Sequence, residues 1–208
     1  MKVIKTLMMG VLAIFALAIV SCNSNKQSAK EDHSTENHDS TMPVQDNKMI
    51  DENIKMVSAT FPIVDASVST YMKSMLQNYL GIKNALIDGN SDMAATSSAA
   101  MFGAMKGFDK SLLTSDQKKV YDTIESDLRE NAEHISKSKI DHQREHFATM
   151  SKNMYDIVKA FGAGMTLYHD YCPMFKDGSI WLSESKDIRN PYYGKKMMTC
   201  GSIEEMFK

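Results

Sequence analysis

At 208 residues with a formal net charge of −2, the chain is long enough for one domain with a real core and has no excess of either sign. No basic stripe breaks that balance, which excludes nucleic acid as an expected partner.

Lys2 and Lys5 precede an apolar run from Leu7 to Val20, and Ser21-Cys22 closes it, which is the layout of an export signal. The run is too short and too abruptly ended for a membrane span, since Asn23, Ser24, Asn25 and Lys26 follow at once. Ile19-Val20-Ser21-Cys22 resembles the lipobox of bacterial lipoproteins. That resemblance implies a signal peptide over 1–22, a lipidated Cys22, and a cell-envelope protein held on a lipid membrane and facing the periplasm, on the outer membrane in preference to the inner. Residues 23–62 are mainly Ser, Asn, Lys, Asp, Glu and His, too poor in large apolar side chains to offset the entropy of ordering, and are expected to form a flexible polar tether. His33 and His38 lie in this stretch.

Helical periodicity begins after Asp65. Val68, Tyr71, Met72, Met75, Tyr79, Ile82 and Leu86 recur at three and four, and Gly89-Asn90 stops the run. Met93, Ser97, Ala100, Met101, Ala104, Met105 and Phe108 form a second stripe rich in small residues. Thr114 and Gln117 have capping-box spacing ahead of a third face made by Val120, Tyr121, Ile124, Leu128, Ala132 and Ile135. Phe147, Met150, Met154, Ile157, Val158 and Phe161 give a fourth, ended by Gly162 and Gly164. The expectation is an all-α protein with an up-down four-helix bundle over 63–164. Gln143-Arg144 projects toward the buried face, so Arg144 is expected to anchor the tail or a neighbouring helix. Past Gly164 the helical period is lost. Cys172-Pro173, Asp177-Gly178, Asn190-Pro191 and Tyr193-Gly194 mark turns, so 165–208 reads as a turn-rich segment with little regular structure beyond short extended pieces around Trp181 and Leu182, packed on the bundle.

Thiolate and thioether sulfur are soft donors that favour Cu(I), and imidazole suits Cu or Zn. Cys172, Cys200, Met174, Met197 and His169 therefore form a candidate Cu(I) set, with zinc or silver as the other ions. The same two cysteines could instead form a disulfide, which would close a loop of about 28 residues and stabilise by roughly 3 kcal/mol on the chain-entropy model. His142 and His146 are four apart and share one face of the fourth helix, and His134 stands across the turn from them; these three are secondary metal candidates, though they also suit surface or capping roles. Most methionines at helical spacing read as core filler. No nucleophile-base pair, phosphate-cradling loop or paired-carboxylate motif stands out, so no enzymatic activity is expected.

Several segments carry a further likeness: His-Gln-Arg-Glu-His-Phe at 142–147, Cys172-Pro173-Met174, Trp181-Leu182-Ser183, Asn190-Pro191-Tyr192-Tyr193-Gly194, and Met197 with Cys200-Gly201. In these the C-terminal half resembles a bacterial family of unknown function whose domain also occurs attached to periplasmic adaptor subunits of heavy-metal efflux systems. Cys172-Pro173-Met174 is also similar to the core of a short metal-binding motif of such adaptors, which continues with His where this chain has Phe175. The resemblance implies an association with metal efflux and, taken with the soft donors, leads to the expectation of metal binding for buffering or for delivery to an efflux adaptor. The competing expectation is a non-metal envelope interaction module, its tail clamped by a Cys172–Cys200 disulfide and presenting Trp181, Tyr192 and Tyr193.

Overall fold

A computed structural model describes residues 54–208. Cys22, His33 and His38, and with them the expected lipid anchor and most of the expected tether, lie outside the described residues.

Four helices form the bundle: α1 (Ala66–Asp88), α2 (Ser91–Lys106), α3 (Ser115–Lys137) and α4 (Ile140–Phe161). The starts of α1, α2 and α3 each have a side-chain cap, whereas α4 begins after Lys139 without one. Asp65 accepts from the backbone of Ser67 and Val68, and Asn90 from that of Met93. Thr114 and Gln117 exchange the two bonds of a full capping box. Gly89 ends α1 in the left-handed conformation. Each helix packs on the next and α4 returns against α1. Val68, Met75, Tyr79, Met101, Leu128, Phe147 and Met154 fill the space between them with no more than traces of exposure. Among the described residues, no helix is long and apolar enough to cross a membrane.

The all-α expectation needs correction. Residues 165–208 are not a segment of little regular structure: they supply three strands, β2 (Leu167–Cys172), β3 (Ser179–Ser183) and β4 (Ser202–Phe207). Lys55–Val57, read from the sequence as the end of the tether, forms β1. The sheet order is β1-β4-β2-β3, with β1 parallel to β4 and the other pairs antiparallel. The physical reason is that these strands are short and satisfied by distant partners. Lys55 faces Glu205 across 150 positions, a pairing that no local period reveals. A register shift opposite His169 and Asp170 also leaves Glu204 without a partner and breaks the alternation that would mark β4 as a strand.

The sheet is bound to the bundle by buried polar groups as well as by packing. The Tyr79 hydroxyl accepts from the backbone N–H of Leu182 at 3.0 Å and meets Ser151 at 2.9 Å. Trp181, wholly buried, packs edge-on to Tyr192. The β2–β3 connection passes through left-handed Lys176 and Asp177, then Gly178, whose Cβ would collide with the Tyr171 ring.

Candidate metal centre

The α3–α4 corner brings three histidines together. Only Ser138 and Lys139 separate the two helices. Buried Gln143 locks the corner, donating from Nε2 to the carbonyls of Ser91 at 2.9 Å and Ile135 at 3.1 Å. His134 in the last turn of α3 therefore faces His142 and His146 in the first turns of α4. One ligand atom from each ring lies within 4.8 Å of the others. The His134 and His146 rings stack at 4.3 Å between centroids, and the His142 ring stands edge-on to His146 at 4.5 Å.

Each ring also has an oxygen partner. His146 Nδ1 lies 2.9 Å from Asn131 Oδ1, His142 Nδ1 lies 3.5 Å from Glu145 Oε2, and His134 Nε2 lies 4.0 Å from Glu130 Oε1. Oxygen partners of this kind orient metal-binding imidazoles in metalloproteins. Burial first, and then the neighbouring His134 and His142, hold the His146 pKa below the ordinary histidine value. The secondary candidates are thus the ones the fold assembles. Asn131, Glu130 and Glu145 were missing from the sequence reading as site residues; spacing of four or three from a histidine on the same helix was the available signal for Glu130 and Glu145, whereas Asn131 meets His146 across the two helices and no local spacing reveals it.

The five primary candidates are dispersed. Cys172, at the end of β2, and Cys200, just before β4, do meet, with 3.6 Å between sulfurs and both thiols free. The Cys200 thiol is pushed up by its hydrogen bond to Cys172 and by burial. Met174 and Met197 are surface side chains, 61% and 37% exposed. His169 lines a different cavity of about 460 Å³ with Lys55, Tyr155, Tyr171, Glu204 and Glu205. Its Nδ1 is 3.5 Å from Glu205 Oε2, and burial holds its pKa below the ordinary value. Strand alternation gives the reason: His169 and Tyr171 share one face of β2, whereas Asp170 and Cys172 take the other.

Two further groups tie the centre to the sheet. Arg144 performs the anchoring expected of it, donating to Pro191 O at 3.1 Å and Leu86 O at 3.2 Å. Gly194, at φ 53°, sits so close that a Cβ would come within 2.9 Å of Ile87 O and 3.1 Å of Arg144 Nη2. Between α1 and the sheet lies Asp170, fully buried with neither oxygen hydrogen-bonded. Burial pushes its carboxyl up to about 7, against the opposing pull of Lys83 and the Trp181 indole. Lys83 is itself buried and pairs with Glu184 at 2.5 Å.

The helices that build the histidine cluster also carry the likeness to known proteins. Residues 75–166 match the model of the DUF3347 family. That family is described as a protein of unknown function. The matched span runs from the middle of α1 to the threshold of β2, so it contains His134, His142 and His146, while Cys172 and Cys200 lie beyond it. No curated protein and no solved structure matches the chain.

Proposed function

We propose that this protein binds a transition-metal ion through His134, His142 and His146. The observation that carries this reading is the convergence of three imidazole donors within 4.8 Å at a rigid helix corner. Three histidines with a position left open to solvent suit Zn(II) or copper and permit exchange of the ion with another carrier. Buffering or handover to a metal-efflux adaptor is the role that fits such an accessible site, and a lipid anchor at Cys22 would hold it at the periplasmic side of the envelope. Those two features rest on the sequence resemblances described above.

The Cys172–Cys200 pair supports a second reading, favoured by the 3.6 Å between sulfurs. Reduced, it is a two-thiolate Cu(I) or Ag(I) site; oxidised, it is the disulfide clamp of an interaction module. Titration with Zn(II) and with Cu(I) against competing chelators separates the two. His142→Ala/His146→Ala should abolish Zn(II) binding while leaving folding intact, and Cys172→Ser/Cys200→Ser should spare it. Full Zn(II) affinity in the double-alanine variant would overturn the histidine assignment.

A further inference from the structure

The hydrogen bonds around His142 and His146 also decide which nitrogen each of these two rings presents. We infer that Asn131 is a positioning residue that holds His146 in the form that binds through Nε2, in a donor set made of Nε2 from His142, Nε2 from His146 and one nitrogen of His134. This rests on the metal-binding reading proposed above. Asn131 is only 6% exposed, and its Nδ2 donates to Asp127 O at 2.7 Å. That bond turns the amide so that its oxygen, an acceptor only, faces His146 Nδ1 at 2.9 Å. A neutral imidazole has one ring proton, so Nδ1 must carry it and Nε2 is left with a lone pair.

The second consequence concerns His142. Its Nε2 stands 3.0 Å from His146 Nε2. Two lone pairs cannot face each other at that separation, so without metal His142 carries its proton on Nε2 and donates to His146. A metal ion at the shared point takes both lone pairs. The His142 proton then resides on Nδ1, where Glu145 Oε2 waits at 3.5 Å. The step balances without an outside proton: one N–H bond breaks at Nε2, one forms at Nδ1, and solvent relays the proton. His134 Nε2 lies 4.0 Å from Glu130 Oε1, beyond hydrogen-bond reach, and its ring stacks on His146, so no contact fixes which of its nitrogens turns to the ion. Metal capture by the α4 pair is thereby written as a change of tautomer at His142, with His146 prepared in advance by Asn131.

Long-range proton–nitrogen NMR correlation of the imidazoles tests this in the full chain, metal-free and with Zn(II) as the probe. His146 should be protonated at Nδ1 in both spectra, and His142 should change from Nε2–H to Nδ1–H on addition of Zn(II). Asn131→Leu should shift metal-free His146 toward Nε2–H and weaken Zn(II) binding by about 10–100-fold. Asn131→Asp, which keeps the acceptor, should restore both. An Nε2–H tautomer at His146 in the metal-free wild type overturns the assignment even where Zn(II) still binds. Failure of the wild type to bind Zn(II), with His146 still protonated at Nδ1, overturns the metal reading and leaves the Asn131 role standing. The wild-type spectrum decides this independently of whether the leucine variant folds.

Discussion

Asp170 has the least comfortable environment of any single side chain described here: a carboxyl wholly withdrawn from water, with no hydrogen bond to either oxygen. Its folded pKa of about 7 lies above the unfolded value of roughly 3.9. Between those values the folded chain holds a proton that the unfolded chain has released, so this group lowers stability as pH rises through the window. The loss is about 1.4 kcal/mol for each pH unit and is complete above the folded pKa. Asp170→Asn should therefore flatten the fall in urea midpoint between pH 4 and 7 and leave the variant more stable than wild type at pH 8. Equal slopes for the two proteins would show that the carboxyl is ionised throughout. At this scale the sequence was most informative where a residue type contradicts its position. Arg144, on the inward side of an apolar stripe, announced a buried anchor. Asp170 did not stand out, because its burial depends on a strand pairing that the sequence conceals.

At the scale of elements, the helices announced themselves, and of the strands only β3 did, as the extended piece around Trp181 and Leu182. The three-and-four spacing of apolar residues, the Thr114–Gln117 box and the Gly89 stop are all local signals, and each helix begins and ends close to them. Thr114→Ala removes the side-chain acceptor for Gln117 N–H and should cost about 1 kcal/mol. For a domain of this size that is a fall of roughly 2–4 °C in Tm. Differential scanning calorimetry would check it, and an unchanged Tm would mean that water replaces the cap at no cost. Strands β2, β3 and β4 have five or six residues each, and β1 has three. Segments so short offer little alternation to count, and the shifted register beside Glu204 interrupts what there is. The histidine pair on α4 was visible as a spacing, but its third member required the helix corner to close.

At the scale of the whole molecule, bundle and sheet form one cooperative body because polar groups cross between them. Arg144 reaches from α4 to the backbone of both α1 and the Asn190–Gly194 turn. Asn190 in turn donates to Cys200 O at 2.7 Å, holding the cysteine against β2. Arg144→Met keeps much of the volume but strands two carbonyls, and should destabilise by about 1–3 kcal/mol. Hydrogen exchange would show faster opening of residues 190–200 with little change in α3; uniform acceleration across the chain would instead mean that the anchor serves global stability alone. By itself the sequence determined the four helices and the core faces of α1, α3 and α4, since these depend on contacts within a few residues; in α2 it placed exposed Met93 in the stripe and missed buried Ala94 and Ser98. It also identified the chemical types able to hold a metal. Tertiary structure decided which of them meet. Strand alternation sent His169 away from Cys172, the β2–β4 pairing brought Cys172 to Cys200, and the α3–α4 corner gathered His134, His142 and His146, because convergence is a property of long-range packing that residue spacing does not encode.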